Sequence, residues 1–398
     1  MAANSQARYD VAIVGGGIMG SSIAYWLAAS PQFSGSIAVI EKDPSYAYST
    51  TARSNSSIRM QFSTALNIEI SKFGIRFIKG VRDYLSVDGE EPQISFVESG
   101  YLFLAEDEPG GRVLLRNHEI QKRHGITDVI ALDAHQLKER FSWLNVEGVT
   151  CGTLGLRNEG WFDPYSLLQA FKRKARSLGV TYIADEVVAM KRAGGHVAAV
   201  VAKQAGTIDT GIVVNAAGAW ARPIAAMAGV DLPVVPRRRL VFVFDCPTRI
   251  EGMPLLIDPD GFYVRPDRGC YLCGMKPPAE NDPDGHNFEV DYQWFDDELW
   301  PRLARWVPAF ETVKVRRAWA GHYEYNTFDR NALLGRHPAV DNLYFCNGFS
   351  GHGMQQSPAV GRGISELIIH GRYQTLDLSE FSVARLSENR PIVEQYVV

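Results

Sequence analysis

The stretch "DVAIVGGGIMG", residues 10–20, decides the fold of this chain. Residues 11–14 form a continuous apolar run, which is typical of a parallel strand covered on both faces. Gly15, Gly17 and Gly20 follow in GxGxxG spacing, and "SSIAYWLAAS" after them has the length and composition of a helix. The first N–H groups of such a helix have no partner within it, so they form a binding site for a pyrophosphate.

A second apolar run, "SIAVIEKD", follows this helix and places Glu41 about 20 residues after the last glycine. At that spacing a carboxylate accepts hydrogen bonds from the ribose of an adenine nucleotide. An acidic residue at this point, rather than a basic one, suits a ribose without a 2′-phosphate. This order of elements predicts a Rossmann-like unit that binds FAD or NAD: a strand, a glycine turn, a helix, a second strand and an acid.

The composition excludes several other classes of protein. The 398 residues are 46% hydrophobic and 22% charged with a net charge of −4, so we expect a globular protein, with two domains and without nucleic acid as a partner. No apolar run is long enough to span a membrane and no signal-peptide pattern is visible, so we expect a cytoplasmic location. The five scattered cysteines predict neither a disulfide framework nor a metal site.

Three later segments extend the pattern. The stretch "YSTTARSNSSIRMQFS", residues 48–63, is rich in hydroxyl groups and carries Arg53 and Arg59. An apolar run ends in "VVNAAGAWA", residues 213–221, whose small side chains let a ligand lie against the backbone. Near the end of the chain, "GFSGHGMQQSPAVG", residues 348–361, predicts a second glycine turn that opens directly into a helix.

Together with the first glycine turn, these segments resemble the D-amino-acid oxidase family of FAD-dependent oxidoreductases, in particular its glycine oxidase and sarcosine oxidase branch. The resemblance covers nearly the whole chain. It implies a mixed α/β fold, in which a Rossmann-like FAD-binding domain is interleaved with a substrate domain built on an antiparallel sheet. We expect the FAD-binding domain at residues 8–83, 152–225 and 327–390, and the substrate domain at residues 84–151 and 226–326.

The resemblance also implies how FAD is held. In the family, the first glycine turn holds the pyrophosphate, and the second lies beside the pyrimidine end of the flavin. N–H groups at that second helix N-terminus would stabilise the negative charge that develops there when the ring accepts a hydride. The expected cofactor-binding residues are Gly15, Gly17, Ile18, Met19, Gly20, Glu41, Lys42, Ser49, Arg53, Ser54, Val187, Ala217, Gly218, Trp220, Gly321, Gly351, His352, Gly353, Met354 and Gln355.

Arg59 matches the loop arginine that binds the substrate carboxylate in sarcosine oxidases; the alternatives are a structural ion pair or a cofactor contact. His322 and Tyr323 are the catalytic candidates, for orienting the substrate amine or handling a proton. Alternatively, Tyr323 packs and His322 binds a backbone carbonyl. Tyr263 and Gln355 complete the expected substrate contacts, together with Arg59 and His322.

The chain departs from sarcosine oxidases at three positions. Gln355 stands where they carry a lysine of the carboxylate clamp, and residues 320–322 stand where they carry a flavin-linked cysteine. We therefore expect FAD without a covalent bond, with a link through His322 as the alternative. Sarcosine oxidases also carry a strand lysine that favours electron transfer to O2, and its match in this chain falls on or near Cys273. The chain is therefore either an oxidase or a dehydrogenase, and its electron acceptor is O2, a quinone or a carrier.

The resemblance implies oxidation of the C–N bond of a small-molecule amine or amino acid, such as a secondary amino acid, a D-amino acid or an opine, by hydride transfer to flavin N5. Two alternatives stay open. The C-terminal third is most similar to mitochondrial FAD-dependent oxidoreductases involved in the assembly of respiratory complex I, which suggests an assembly or scaffold flavoprotein. The fold family also suggests an FAD-dependent 2-hydroxy-acid dehydrogenase.

Overall fold

Two eight-stranded sheets form the framework of the protein. A computed structural model describes residues 7–394. In chain order, the strands are β1 Ala7–Val14, β2 Ile37–Glu41, β3 Ser57–Ile58, β4 Tyr101–Ala105, β5 Val129–Asp133, β6 Cys151–Gly155, β7 Gly160–Trp161, β8 Thr181–Ala184, β9 Val187–Ala193, β10 His196–Ala202, β11 Gly206–Asn215, β12 Val234–Asp245, β13 Leu255–Ile257, β14 Tyr263–Asp267, β15 Cys270–Gly274, β16 Lys314–Asn326, β17 Leu333–His337 and β18 Val340–Asn347. The α-helices are α1 Ile18–Ala29, α2 Ala65–Lys79, α3 Val81–Leu85, α4 Glu108–Arg123, α5 Ala134–Arg140, α6 Pro164–Ser177, α7 Ala221–Met227, α8 Trp300–Trp306 and α9 Gly353–His370. Between residues 7 and 394, no helix is sufficiently long and apolar to cross a membrane.

The first sheet has the order β17-β18-β11-β1-β2-β8, with β9 and β10 attached through β11. From β18 to β8 neighbouring strands are parallel, whereas β17 is an antiparallel edge strand. Residues 11–14 of β1 are buried and pair with both β11 and β2, which confirms the predicted parallel strand covered on both faces. The strand begins earlier, at Ala7, because residues 7–9 pair with β11 although they are exposed or only partly buried.

The second sheet, ordered β16-β12-β15-β14-β13-β4-β6-β5, is antiparallel except for the pair β13 and β4. One face carries Phe242 and Cys273, which pack with Leu303 of α8, and the opposite face carries Val241 and Tyr263. The mixed α/β class with an antiparallel second sheet is thus confirmed. This sheet draws its strands from residues 101–155 and 234–326, and the expected division into domains stays a prediction.

Helices α1 and α9 cross in close contact, which brings their N-termini together. Ser22 Oγ of α1 donates a hydrogen bond to the Ser357 carbonyl of α9 at 2.8 Å. A Cβ atom at Gly361 would collide with Ser22, so only glycine allows the helices to approach this closely. At the N-terminal end, a Cβ atom at Gly353 would lie 3.4 Å from Met19 Cε. Helix starts from opposite ends of the sequence therefore lie side by side.

A buried ion pair anchors the C-terminal segment to the loop before β17. The side chains of Arg385 and Asp329 are fully shielded from solvent, and Arg385 Nε donates to Asp329 Oδ2 at 2.9 Å. The guanidinium also donates to the Phe381 carbonyl at 2.7 Å and to the Asn331 carbonyl at 3.0 Å. Charges this deep in a protein persist only when they are paired and hydrogen-bonded, so this contact holds the segment in place.

Replacing Arg385 by methionine is expected to lower the free energy of unfolding by about 3–5 kcal/mol, because Asp329 stays buried without its partner. The matched control is Arg390→Met, since Arg390 pairs with Glu388 at the surface and such pairs contribute about 0–1 kcal/mol. Chemical denaturation followed by circular dichroism compares the two variants. Equal losses would contradict the role assigned to the buried pair.

Candidate active site

One long cavity of about 870 Å³ lies between the two sheets. It is lined by both glycine turns, by the ends of β1 and β2 and by one face of the second sheet. The predicted site residues that line it are Gly15, Gly17, Ile18, Met19, Glu41, Lys42, Ser49, Arg53, Ser54, Val187, Ala217, Gly218, Trp220, Tyr263, Gly321, His322, Tyr323, Gly351, Gly353 and Met354. The predicted residues outside this lining are Gly20, Arg59, His352 and Gln355.

The first glycine turn connects the end of β1 to this cavity. Gly15 has a φ angle of +100°, and a Cβ atom there would collide with the Ala216 carbonyl. The Gly16 N–H donates to Glu41 Oε2 at 2.7 Å, which fixes this carboxylate at the end of β2. A Cβ atom at Gly20 would collide with the Gly15 carbonyl, so Gly20 serves the close packing of helix on strand instead of lining the cavity.

Helix α1 begins behind this turn with its positive end towards the cavity. No side chain caps it at Gly17, and its first turn holds no acidic residue. Thr51 Oγ1 accepts a hydrogen bond from the Ile18 N–H at 3.1 Å, a contact that the sequence analysis did not foresee. A helix start that lies open to a cavity and lacks a negative charge suits a phosphate group.

The second glycine turn lines the same cavity. Gly351 has a φ angle of +99°, and a Cβ atom there would lie 2.6 Å from the Tyr323 ring. Helix α9 begins at Gly353, again with no capping side chain and no acidic residue in its first turn. Two helix N-termini thus face one cavity with Glu41 beside the first of them, an arrangement that fits a long dinucleotide with its phosphates at α1 and an electron-accepting ring at α9.

The family of this chain follows from its similarity to known proteins. A family profile described as FAD dependent oxidoreductase, DAO, matches residues 10–367. The chain belongs to the DAO family of FAD-dependent oxidoreductases. FAD-dependent oxidoreductase domain-containing protein 1 of Xenopus laevis is 42% identical to it over 98% of this chain and 85% of that protein.

Two further proteins of this kind are similar at lower identity. 4-Methylaminobutanoate oxidase (formaldehyde-forming) of Paenarthrobacter nicotinovorans is 27% identical over 94% of this chain and 45% of that protein. The crystal structure of L-proline dehydrogenase from P. horikoshii superposes with a TM-score of 0.86 at 27% identity, and the match covers 97% of this chain and all of that one (100%). The whole DAO fold is therefore present in this chain.

The wall that the second sheet gives to this flavoprotein cavity carries Tyr263, His322 and Tyr323. Burial, with His286 nearby, lowers the pKa of His322 to about 4, so its imidazole is neutral at pH 7. Burial raises the pKa of Tyr263 and of Tyr323, so both phenols keep their protons. At neutral pH this wall offers two hydroxyl donors and one neutral imidazole to a bound molecule.

Arg59 lies behind the cavity wall in a buried cluster with His352 and Gln355. Its backbone N–H donates to Gln355 Oε1 at 2.9 Å, and its Nη2 lies 3.1 Å from His352 Nε2. Burial is the main cause that holds the pKa of His352 well below its usual value, and the nearby charge of Arg59 is the second cause. Because a guanidinium only donates, His352 Nε2 accepts and the imidazole proton resides on Nδ1. These three predicted residues thus contact one another.

Glu159 fixes the segment around Arg59 from the other side. Its Oε1 accepts from the Met60 N–H at 2.7 Å and its Oε2 accepts from Gln61 Nε2 at 2.9 Å. Burial raises the pKa of Glu159 to about 7, although these hydrogen bonds and Arg59 act against it. No local pattern in the sequence points to Glu159, since Met60 and Glu159 are 99 positions apart.

The irregular segment between β15 and α8 covers part of the cavity, which the sequence analysis also missed. Trp220 stacks on His286 of this segment, with ring centroids 4.5 Å apart, and Lys42 Nζ lies 3.5 Å from the Trp220 ring centre. Phe288 lines the cavity and meets the His322 ring edge-on at 4.3 Å. Aromatic residues in a proline-containing loop are the local signal in the sequence that points to this covering role.

Replacing Gly351 by alanine is expected to weaken FAD binding by at least about tenfold, because the new methyl group displaces the Tyr323 ring from the cavity wall. The matched control is Gly269→Ala, which has a similar φ of +89° but nothing within 4 Å of the added Cβ atom. Both variants suffer the same backbone strain, so fluorescence titration of each apoprotein with FAD isolates the contact. Equal FAD affinities would contradict this assignment.

Proposed function

We propose that this flavoprotein oxidises the C–N bond of an amino acid, with a secondary amino acid as the favoured substrate. The observation that carries the proposal is a buried guanidinium directly behind the cavity wall. Arg59 is 3% exposed, and its Nη2 lies 3.1 Å from Nε2 of His352, which stands between Gly351 and Gly353 of the cavity lining. An arginine so placed is the natural planar partner of a substrate carboxylate.

The surroundings of Arg59 support a role in recognition. The rings of Phe62 and Phe103 lie 4.4 Å and 5.2 Å from its guanidinium carbon, so the charge stands in a place of low polarity. Its backbone is fixed by Gln355, and that of Met60 is fixed by Glu159. A charge held rigidly in an apolar site interacts more strongly with an incoming anion than a charge in water does.

The names of two similar proteins support the substrate class. L-Proline and 4-methylaminobutanoate, which appear in those names, each combine a carboxylate with a secondary amine. The proposed substrate of this chain has the same two groups. Its carboxylate would lie towards Arg59 and its amine towards the wall of Tyr263, His322 and Tyr323.

The side chains of this wall have defined tasks in the proposal. FAD, when bound, supplies the redox chemistry by taking a hydride from the carbon beside the amine, and water hydrolyses the imine that is left. Tyr263 and Tyr323 keep their protons and orient the substrate through hydrogen bonds. His322, neutral at pH 7, accepts a hydrogen bond from the substrate N–H.

We further propose that FAD is bound without a covalent link. Among the described residues that line the cavity there is no cysteine, and residues 320–322 stand in the neighbourhood where sarcosine oxidases carry the flavin-linked cysteine. Their oxygen-activating lysine is matched on or near Cys273, which packs with Phe242 on the far face of the second sheet. This placement favours an acceptor other than O2, such as a quinone or a carrier. The cytoplasmic location remains a prediction from the sequence.

The reaction is tested with the purified yellow protein under anaerobic conditions and a panel of secondary amino acids, D-amino acids, opines and 2-hydroxy acids. At least one secondary amino acid is expected to bleach the flavin absorbance near 450 nm. Re-admission of air then separates oxidase from dehydrogenase by the rate at which the colour returns. Acid precipitation, which releases only non-covalent flavin, tests the proposed binding mode on the same sample.

The other outcomes of the panel select the alternatives. If a 2-hydroxy acid bleaches the flavin and no amine does, the protein is instead a hydroxy-acid dehydrogenase. No bleaching by any compound, together with recovery of respiratory-chain subunits in a pull-down, would replace the proposal by an assembly or scaffold flavoprotein.

The role of Arg59 is tested with Arg59→Met on the best substrate and on its carboxamide. The wild-type protein is expected to prefer the acid, and the variant to lose about 10–100-fold of this preference in kcat/KM, because a charge-assisted hydrogen bond contributes about 1.5–3 kcal/mol. Turnover of the carboxamide serves as the internal control, since it needs the same flavin and the same amine contacts. An unchanged acid-to-amide ratio would contradict the proposed carboxylate contact.

A further inference from the structure

Glu324 of β16 is a buried carboxyl group in the cavity that the function described so far does not use. It lies next to Tyr323 in the sequence, lines the cavity, and is 7% exposed. Its Oε2 accepts from the Gly348 N–H at 3.1 Å, and its main-chain carbonyl accepts from the Ser350 N–H at 3.1 Å. Glu324 is therefore attached through two contacts to the second glycine turn.

Among the described residues, only the Gly348 N–H forms a hydrogen bond with this carboxyl group. Between residues 7 and 394, the other oxygen, Oε1, has no hydrogen-bond partner, and it is not fully shielded from solvent. Since Glu324 lines the cavity, this oxygen is open to a contact with a bound molecule. The carboxyl group thus has one oxygen fixed by the turn and one that the described chain leaves without a partner.

Within residues 7–394, no cation is brought to Glu324 by the elements packed around it. Its partner across β12 is Pro236, and the neighbouring Arg237 forms an ion pair with Asp284. The titratable group that faces it from β18 is the thiol of Cys346, which is itself buried. The first turns of α1 and α9 consist of uncharged residues.

Burial without a cation has a clear consequence for this group. It raises the pKa of Glu324 to about 8, against the weaker opposing effect of the Gly348 N–H. At pH 7 the carboxyl group is mostly protonated, so it can donate a hydrogen bond from O–H as well as accept one. Ionised, it could only accept, and it would place a negative charge beside the N-terminus of α9.

We propose that Glu324 binds FAD through a protonated carboxyl group, whose O–H donates a hydrogen bond to the flavin end of the cofactor. A flavin ring offers carbonyl and ring-nitrogen acceptors along the edge that the family places beside this turn. A neutral donor fits such an edge, whereas a carboxylate would repel it. The contact makes FAD affinity depend on pH, independently of which substrate the protein oxidises.

The test is FAD binding to the apoprotein between pH 7 and pH 9, measured by fluorescence titration for wild type and Glu324→Gln. Wild type is expected to bind FAD up to about tenfold more weakly at pH 9, because a group titrating near pH 8 changes its protonated fraction by about that factor over this range. Glutamine keeps the shape and a neutral donor, so the variant is expected to change by less than about twofold over the same range.

Glu159→Gln is the matched control. Glu159 is a buried carboxyl group with a raised pKa, but it does not line the cavity, so this variant is expected to keep the wild-type pH dependence. A parallel pH dependence in Glu324→Gln and wild type would overturn the proposal. The proposal would also be overturned if the Glu324→Gln protein folds but fails to bind FAD at pH 7. A wild-type FAD affinity that is constant from pH 7 to pH 9 would overturn it without any variant.

Discussion

The close crossing of α1 and α9 is the contact on which the rest of the structure depends. It joins a helix near the start of the chain to one near its end, through Ser22 against Gly361 and through Trp26 Nε1, which donates to the Pro358 carbonyl at 3.0 Å. Because the two helices follow β1 and β18 of one parallel sheet, their N-termini emerge at the same edge. Their positive ends then face one cavity, and a single cofactor that carries phosphates and an electron-accepting ring satisfies both.

The second sheet contributes side chains to the cavity wall, whereas the first sheet contributes main-chain groups. Its cavity face carries Tyr263, and its edge strand β16 carries His322, Tyr323 and Glu324. The opposite face is closed by α8, which removes Cys273 from the site. On β14 and β15 this division follows from strand geometry, since Tyr263 pairs with Gly274 and the neighbouring Cys273 therefore points to the opposite face. On β16, by contrast, the consecutive residues 321–324 all line the cavity.

Ionisable groups behind and within this wall are deeply buried, and each is held by the main chain. Gln355 and Glu159 fix the backbone at Arg59 and Met60, and Glu324 is fixed to the second glycine turn by Gly348. Burial shifts their proton equilibria in the direction of the neutral form, which is the common cause of the raised pKa values of Glu159 and Glu324. Behind and within this wall, burial thus favours the protonated form of two carboxyl groups, those of Glu159 and Glu324.

The sequence by itself determined the parallel strand at residues 11–14, both glycine turns and the acid at Glu41, because these depend on neighbours within a few residues: burial on two faces, positive φ angles and fixed spacing. Most of the site residues that it predicted line the cavity. Only the tertiary structure decided that Arg59 lies behind the wall with His352 and Gln355, that Glu159 fixes this segment from outside the cavity, and that Glu324 lines the cavity. Those positions depend on contacts between segments far apart in the chain and on desolvation, and neither leaves a local pattern.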